Sequence, residues 1–591
     1  MTTTMITLAA PMTAQLLQCL VQPGQAVRAG TPLLLLEAMK MEHELTAPAD
    51  GLVAEILYAA GEQVREGEVL LRLRPQGGAA AAAPAETAAA APVGERADLQ
   101  ALRERQALTL DAARPEAIAK RHALGLRSAR ENIADLVDPG SFREYGALAY
   151  AAQRARRPLE ELRAQTPADG IVTGLAEIHG RAVAVLAYDA TVLAGTQGLR
   201  NHQKTDRLLE LALRQRLPVV LFAEGGGGRP GDTDMPVVAG LHVPTFMSFA
   251  RLAGQVPVIG IAAGRCFAGN AALLGCCDLI VATRDANIGL GGPAMVEGGG
   301  LGRFAPEQIG PASEQAAVGG VDVLVADEAE ACAVARRLLG YFPGFQGARP
   351  DWQAADQSAL RHAIPEQRAR AYEVRPLIET LMDSGSVQEL RPRQGASLVC
   401  GLARLEGRPL AFVASDCAVL GGAIDAAAMR KLGEHLRLCE TQDLPLVALI
   451  DTPGFMVGPQ AEAQGQVRLA GQLFQAAARL KRPVLSVVLR RAFGLGAMAL
   501  AGGSLHAPLA SLAWPGAEFG AMGLEGAVRL GYRKELAAVP EGAERQGLFE
   551  RLLARQVEAG RAIPLAEALE IDAVIDPAET RAWLSQGLRL G

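Results

Sequence analysis

Short apolar runs separated by glycine turns make up the first 75 residues of the chain. Residues 11–75 repeat themselves with an offset of 37, so that Gly24 corresponds to Gly61. Each copy has the pattern of a few short strands joined by tight turns, which is typical of a small β-sandwich. We therefore predict an all-β domain over residues 1–75.

An alanine-rich segment follows this domain. Residues 76–93 contain ten alanines, together with two glycines and two prolines. The glycines and prolines limit any helix there to a few turns. The composition therefore predicts a linker over residues 76–95 that lets the first domain move relative to the rest of the chain.

The remainder of the chain repeats with an offset of 227 residues, so that Gly195 matches Gly422. In the first copy, strands over 182–186 and 218–222 flank an amphipathic helix near 200–215. This alternation predicts β/α units with crossover connections. Two such lobes are expected, one over 96–345 and the other over 346–591, with a functional site at an interface of lobes.

Composition narrows the class of protein. Half of the residues are hydrophobic and 21% are charged, which permits large packed cores. The net charge of −6 argues against nucleic-acid binding. No apolar run is long enough for a transmembrane helix, and the first residues do not resemble a signal peptide. Eight cysteines without a CxxC pair suggest reduced thiols in a cytoplasmic protein. No membrane partner is expected, since no long apolar run is present.

Lysine is rare, with six lysines against 52 arginines. Lys40 lies between Met39 and Met41, in the connection between the two copies of the first repeat. This placement predicts a lysine displayed at the tip of a hairpin. The simpler interpretation, a solvent-exposed lysine without a function, does not explain why the repeat, the methionines and the linker occur together.

Four glycine-rich loops follow apolar strands at equivalent places in the two lobes. They comprise residues 224–229, 264–271, 451–455 and 493–497. In the later pair the offset is 226, so that Phe267 matches Phe493. Glycine lets the backbone approach a ligand, and free N–H groups can hold a developing oxyanion. One such loop alone would be only a turn, but four equivalent loops favour a site.

Other catalytic motifs are weak or missing. Gly494-x-Gly496-x-x-Ala499 imitates a dinucleotide fingerprint, but it belongs to the repeat. The sequence contains no Walker A motif, no HExxH, no paired CxxC and no GxSxG elbow. We therefore predict neither a nucleotide-binding Rossmann site nor a metal site.

The first 75 residues, with Lys40 between two methionines, resemble a biotinyl carrier domain. The related lipoyl domains usually have Asp-Lys-Ala where this chain has Met39-Lys40-Met41. The resemblance implies that biotin is bound covalently to Lys40 and that Met39 and Met41 flank the attachment site.

Residues from about 115 to 535 resemble the carboxyltransferase of biotin-dependent acyl-CoA carboxylases. The matching stretches are 127–133, 136–142, 169–174, 372–375, 383–386, 451–455, 514–518 and 522–528. The resemblance implies an α/β protein of two crotonase-like lobes related by a pseudo-twofold repeat, preceded by a barrel-sandwich biotinyl domain. One-residue-longer turns at Ala268 and Gly496 resemble the methylcrotonyl- and geranyl-CoA carboxylase branch.

The resemblance also implies a mechanism. Carboxybiotin enters one lobe and acyl-CoA the other, usually across a subunit interface. The freed ureido nitrogen of biotin takes the α-proton, or a vinylogous γ-proton, of the thioester, and the enolate attacks CO₂. Because biotin is then the base, the chain needs no general-base dyad of its own, and its role is electrostatic, through two oxyanion holes.

The family motif assigns site residues in both lobes. In the first lobe the glycine pair and the following turn correspond to Gly226, Gly227, Ala268 and Gly269. In the second lobe the residues expected to face the ureido oxygen are Gly494, Leu495 and Gly496. Asp451 and Glu518 are expected to orient loops rather than to transfer protons.

The chain departs from the family pattern at three places. Gly225–Gly228 replaces the usual Ser-Gly-Gly-Ala, and Asn270 stands where glycine is usual. Residues 289–310 follow the pattern poorly. Because this segment is expected to shape the acyl pocket, the identity of the acyl group is left open.

The resemblance implies further partners. The chain has no ATP-binding lysine loop, so we expect a separate biotin carboxylase subunit to use ATP, bicarbonate and Mg²⁺. A homo-oligomer, a hexamer of carboxyltransferase lobes, is expected as well. Two alternatives stay open: a biotin-dependent decarboxylase that acts on a carboxylated acyl-CoA or related acid, and a degenerate transferase that serves only as a biotin-bearing assembly module.

Overall fold

The computed structural model describes residues 4–76, 96–229, 231–234, 240–345 and 351–590. The chain divides into two compact units, Met1–Arg96 and Ala97–Gly591. The predicted linker over 76–95 lies outside the described residues except for its first residue. Both predicted lobes belong to the second unit, and the boundary between them at residue 345 stays a prediction.

The first unit is all-β, as predicted. Its eight strands are β1 (Ile6–Ala9), β2 (Ala14–Cys19), β3 (Ala26–Val27), β4 (Pro32–Ala38), β5 (Met41–Thr46), β6 (Gly51–Ile56), β7 (Gln63–Val64) and β8 (Val69–Pro75). They form two four-stranded sheets, in the orders β1-β8-β6-β3 and β5-β4-β2-β7. Fully buried leucines such as Leu16, Leu36 and Leu71 fill the space between the sheets.

The repeat in this unit is confirmed strand by strand. Adding 37 to the bounds of β2, β3 and β4 gives the bounds of β6, β7 and β8. Each copy contributes strands to both sheets, so the two copies exchange strands across the core. The connection between β4 and β5 therefore lies at the centre of the repeat.

The first lobe of the second unit alternates strands and helices. Its strands are β9 (Arg143–Tyr145), β10 (Ile171–Ile178), β11 (Arg181–Tyr188), β12 (Val219–Phe222), β13 (Val258–Ala262), β14 (Arg265–Phe267), β15 (Leu279–Thr283), β16 (Asn287–Gly289) and β17 (Val323–Val325). Its helices are α1 (Ala97–Ala107), α2 (Pro115–Ala123), α3 (Ala129–Leu136), α4 (Leu159–Gln165), α5 (Leu199–Gln215), α6 (Thr245–Ala250), α7 (Gly269–Leu274), α8 (Pro293–Gly298), α9 (Ala312–Val318) and α10 (Glu328–Leu339). The predicted strands and the amphipathic helix are all present.

The second lobe follows the same order. Its strands are β18 (Gln388–Leu390), β19 (Leu398–Leu405), β20 (Arg408–Ser415), β21 (Leu446–Thr452), β22 (Val484–Phe493), β23 (Ala510–Ala513), β24 (Glu518–Gly520) and β25 (Ala573–Val574). Its helices are α11 (Val374–Leu381), α12 (Ala426–Thr441), α13 (Pro459–Glu462), α14 (Gln466–Ala477), α15 (Gly494–Leu500), α16 (Leu524–Gly531), α17 (Arg533–Ala537), α18 (Ala543–Ala559), α19 (Ala562–Glu567) and α20 (Thr580–Leu590). Among the described residues, no helix is long and apolar enough to cross a membrane.

One mixed sheet forms the centre of each lobe. In the first lobe the strand order is β17-β15-β13-β12-β11-β10-β9, with parallel pairing from β11 to β17. The second lobe repeats this as β18-β19-β20-β21-β22-β23-β25, with β24 paired to β22. Parallel strands end at the same edge of a sheet, and loops at that edge are the usual place for ligand binding.

The same side-chain hydrogen bonds recur in the two lobes. Lys204 Nζ donates to Ile171 O at 2.5 Å, and Lys431 Nζ donates to Leu398 O at 2.7 Å. All four positions are related by the offset of 227. Burial lowers the pKa of Lys204 to about 8. Lys204 thus ties α5 to β10, and Lys431 ties α12 to β19, which gives both lysines a structural role.

Candidate functional site

Lys40 occupies the tip of the hairpin between β4 and β5. Ala38 pairs with Met41 at the end of the ladder, so the turn contains only Met39 and Lys40. Both turn residues are left-handed, with φ of 51° and 65°, as expected for a two-residue hairpin turn whose twist matches the strands. Met39 is 98% exposed and Met41 64% exposed. The Lys40 side chain is therefore displayed to solvent, as the sequence predicts.

In the first lobe, the loop after β12 packs against the turn that leads into α7. Gly225 N–H donates to Arg265 O, and Phe267 N–H donates to Gly225 O, each at 2.8 Å. A Cβ atom added at Gly227 would lie 2.5 Å from Ala268 Cβ and 3.1 Å from Gly269 N. The structure therefore brings Gly227, Ala268 and Gly269 together, at a spacing that only glycine permits at position 227.

The predicted first-lobe residues differ in whether their N–H groups are free. Gly227 N–H donates to Asn270 Oδ1 at 3.0 Å, and Ala268 N–H donates to Gly289 O at 2.9 Å. The N–H groups of Gly227 and Ala268 are therefore engaged within the loops, and the assignment of both residues to the site stays a prediction. Gly226, Gly228 and Gly269 make no N–H hydrogen bond to any described residue, and they are the candidate donors.

In the second lobe, Gly494, Leu495 and Gly496 form the first turn of α15. Gly494 has φ of 59°, which is a left-handed conformation. A Cβ atom at Gly496 would lie 2.8 Å from Gly454 Cα and 2.9 Å from Phe455 N. N–H groups in the first turn have no acceptor inside the helix. Those of Leu495 and Gly496 are therefore candidate donors beside the loop after β21.

Buried ion pairs anchor both ends of the first-lobe glycine loop. In the first lobe, Arg121 makes a bidentate contact with Glu224, at 2.9 and 2.6 Å. Burial raises the pKa of Glu224, and the Arg121 guanidinium opposes that shift. The loop ends at Arg229, which pairs with the fully buried Asp169 at 2.5 Å. Both ends of the glycine run are therefore anchored by arginines, which the sequence did not predict.

The two acidic residues of the second lobe are also paired. Asp451 is 0% exposed and contacts Arg490 at 2.9 Å and Arg491 at 2.6 Å. Glu518 accepts from Arg368 at 2.5 and 2.7 Å. Because both carboxylates are paired with arginines, we interpret Asp451 and Glu518 as residues that orient the loops of the second lobe. Within the described residues, no group of three or more histidine, cysteine or acidic side chains is placed to hold a metal ion.

We expect Asp451→Ala to destabilise the fold by about 3–5 kcal/mol, because it leaves two arginines without their buried partner. Activity should fall, but the pH dependence of the remaining activity should match that of the unmodified protein. Asp383→Ala is the matched control, since Asp383 is a buried partner of Arg581 in the same lobe. A pH profile that loses one ionisation only in Asp451→Ala would identify Asp451 as a proton-transfer group.

Apolar side chains occur next to the turn before α7 and on the segment after β16. A Cβ atom at Gly269 would lie 3.2 Å from the Phe246 ring, which places that ring beside the candidate donors. Leu290, Met295 and Leu301 are 78%, 63% and 75% exposed on the segment after β16. Exposed apolar side chains that lie close together can mark a site for an apolar ligand or partner. This is the segment predicted to shape an acyl pocket.

Comparison with known families separates the chain into two matched parts. Residues 120–590 match the carboxyl transferase domain. Residues 6–73 match the family described as biotin-requiring enzyme. The first match includes both lobes, and the second coincides with the all-β unit and includes Lys40.

Relatives with described functions match most of the chain. It is 31% identical over 480 residues to the methylmalonyl-CoA carboxyltransferase 12S subunit of Propionibacterium freudenreichii, covering 80% of this chain and 90% of that protein. It is also 31% identical over 504 residues to the biotin-dependent long chain acyl-coenzyme A carboxylase beta4 subunit of Mycobacterium tuberculosis, covering 83% and 94%.

Solved structures give the same assignment. A single-chain, multi-domain long-chain acyl-CoA carboxylase is 50% identical, with a TM-score of 0.79, and the match covers 98% of this chain. The chain spans only 56% of the length of that protein. The transcarboxylase 12S crystal structure, described as a hexamer, is 29% identical with a TM-score of 0.74 and covers 83% of this chain. Assignment to the methylcrotonyl- and geranyl-CoA branch stays a prediction.

Proposed function

Because the chain belongs to the carboxyl transferase family and carries a biotin-requiring domain, we propose that it transfers CO₂ from biotin on Lys40 to a long-chain acyl-CoA. The chain is a biotin-dependent carboxyltransferase of the acyl-CoA carboxylase type. One observation carries the finer proposal. The long-chain acyl-CoA carboxylase matches this chain over both of its domains, at 50% identity.

The carrier hairpin fits covalent biotin. Lys40 lies at an exposed two-residue turn, where a modifying enzyme and a distant active site can both reach its side chain. Biotin, once attached, supplies the carried carboxyl group and a ureido nitrogen that accepts a proton. The role of the hairpin is to present Lys40 rigidly while the flanking Met39 and Met41 offer apolar contact.

The first-lobe donors would hold the thioester oxygen of the acyl-CoA. Removal of the α-proton moves negative charge onto that oxygen, and N–H groups of Gly226, Gly228 and Gly269 are available to it. Donors fixed before the reaction need no reorganisation when charge develops, which is the main source of their catalytic effect. The arginine-anchored loop ends supply that rigidity.

The second-lobe donors would hold the ureido oxygen of biotin. Leu495 and Gly496 offer N–H groups at the start of α15, next to Gly454 and Phe455. Because Asp451 and Glu518 are paired with arginines, neither is assigned as the base, and the role of the chain here is to polarise and position the reactants.

The apolar rim of the first lobe supports a long acyl chain. Phe246 lies next to Gly269, and Leu290, Met295 and Leu301 are exposed on the segment that follows Gly289, whose carbonyl accepts from Ala268 N–H. Burying a methylene group contributes about 0.8 kcal/mol, so such a rim favours long chains over acetyl or propionyl groups.

We infer two partners from the same comparisons. A separate biotin carboxylase subunit would load the carrier, using ATP, bicarbonate and Mg²⁺. A homo-hexamer of carboxyltransferase subunits is supported by the hexameric transcarboxylase core, whose fold this chain resembles. In such an assembly the first lobe of one subunit and the second lobe of another would share a site. Two of the named relatives are described as long-chain acyl-CoA carboxylases, which supports the carboxylase over the decarboxylase alternative.

The decisive experiment is the reverse reaction of the purified, biotinylated chain. Malonyl-CoA, methylmalonyl-CoA, 3-methylglutaconyl-CoA and α-carboxylated palmitoyl-CoA would be offered separately, and avidin-sensitive decarboxylation measured. We expect the palmitoyl derivative to have the highest kcat/KM. Preference for another ester would overturn the long-chain assignment while keeping the transferase. No turnover of any ester by fully biotinylated protein would contradict the transferase assignment itself.

A further inference from the structure

A threonine fixes the glycine loop of the second lobe. Thr452 Oγ1 donates to Gly422 O at 2.7 Å and accepts from Gly454 N–H at 3.1 Å. The hydroxyl thus joins the loop after β21 to the turn before α12. These two contacts set the backbone of Gly454, on which Gly496 packs.

The first lobe has no side chain at the equivalent position. The offset of 227 relates Thr452 to Gly225, Gly422 to Gly195 and Gly454 to Gly227. A glycine cannot make the threonine contacts. Since Gly225 is followed by three more glycines, the loop would have unusually high conformational freedom if nothing else held it.

Asn270 makes the missing contacts from another segment. Its Oδ1 accepts from Gly227 N–H at 3.0 Å, and its Nδ2 donates to Gly195 O at 3.2 Å. The same Nδ2 donates to Glu224 O at 3.0 Å. The Asn270 side chain is fully buried. It therefore contacts the counterparts of both groups that Thr452 contacts.

The two arrangements exclude each other within one lobe. In the second lobe the counterpart of Asn270, at the offset of 226, is Gly496, which also lacks a side chain. In the first lobe a Cβ atom at Gly225 would lie 2.9 Å from Asn270 Nδ2 and 2.1 Å from Gly195 O. The polar side chain thus stands at different positions in the two lobes. In the second lobe it is Thr452, opposite Gly496, and in the first lobe it is Asn270, opposite Gly225.

We propose that Asn270 is a positioning residue that takes over in the first lobe the loop-holding role of Thr452. Asn270 accepts the hydrogen bond of Gly227 N–H and so fixes the backbone of the loop. The neighbouring N–H groups of Gly226 and Gly228 are thereby oriented toward the thioester oxygen. This inference rests on the proposed role of that loop as an oxyanion hole. It also explains why a run of four glycines occurs together with an asparagine in the next loop.

The first test is Asn270→Ala, assayed as decarboxylation of the preferred carboxylated acyl-CoA by biotinylated protein. We expect kcat to fall about tenfold to a hundredfold with a much smaller change in KM, because oriented donors act on the transition state. Ser486→Ala is the control for stability, since it removes a buried hydroxyl contact of 3.0 Å to Ser511 in the second lobe. It should leave kcat unchanged.

A second test asks whether the threonine arrangement can be introduced into the first lobe. The Cβ atom of Gly225→Thr would lie 2.1 Å from Gly195 O and 2.9 Å from Asn270 Nδ2, at a φ of 141°, so this variant should be strongly impaired. Adding Asn270→Gly should not restore activity, because the contact with the Gly195 backbone remains. Unchanged kcat in Asn270→Ala would overturn the proposal.

Gly226→Val separates failure of this inference from failure of the proposed site. If Gly226→Val loses activity while Asn270→Ala does not, the loop is catalytic and Asn270 does not position it. If neither substitution changes kcat, the loop is not an oxyanion hole, and the assignments of site and positioning residue are both wrong.

Discussion

Lys40→Arg is expected to contain no biotin and to lose CO₂ transfer by more than about a thousandfold, because a tethered carrier reacts at a high effective concentration that free biotin cannot match. The fold should not change, since Lys40 is an exposed turn residue and arginine keeps its charge. Intact-mass spectrometry measures biotin, and decarboxylation of the preferred carboxylated acyl-CoA measures activity.

Lys481→Arg is the matched control for this substitution. Lys481 is another exposed lysine, outside the carrier unit. The control should keep both biotin and activity. An active Lys40→Arg protein without biotin would contradict the carrier assignment, and a biotinylated one would place the attachment on one of the five other lysines.

Gly227→Val should lower kcat by about a hundredfold or more, comparable to the loss of an oxyanion-hole donor. Its Cβ atom would lie 2.5 Å from Ala268 Cβ and 3.1 Å from Gly269 N, and its φ of 84° is unfavourable for a branched side chain. The added side chain would push apart the two loops that provide donors. Single-turnover decarboxylation with biotinylated protein measures the effect.

Gly385→Val controls for the cost of a side chain at a left-handed position. Gly385 has φ of 70° and no atom within 4 Å of an added Cβ, so only the strain is shared with Gly227→Val. We expect a lower melting temperature with normal kcat. If both variants lose activity equally, the effect of Gly227→Val is one of stability, and the loop is not at the site.

The repeats explain how much of the fold could be predicted. An offset of 37 in the sequence reproduces the bounds of three carrier strands, and the offset of 227 reproduces the lysine contacts of both lobes. Periodicity of apolar residues, turn glycines and internal duplication are local properties of a chain. They can be recognised in the sequence without knowing which segments are in contact in the folded protein.

The donors of the site could be predicted only in part. Sequence motifs indicated Gly226, Gly227, Ala268 and Gly269 as one set. The structure separates them, because Gly227 donates to Asn270 and Ala268 to Gly289. Whether an N–H group is free depends on an acceptor that lies tens of residues away along the chain. The sequence around the glycine therefore does not predict whether that acceptor is present.

The sequence alone determined the two-part organisation, the exposed lysine, the duplicated lobes and the glycine loops, because each follows from the residues next to it along the chain. Only the tertiary structure decided which loops are held by Arg121, Arg229 and Asn270, and which donors are left for a ligand. Those contacts join segments far apart in sequence, and buried polar groups must find partners wherever the fold places them.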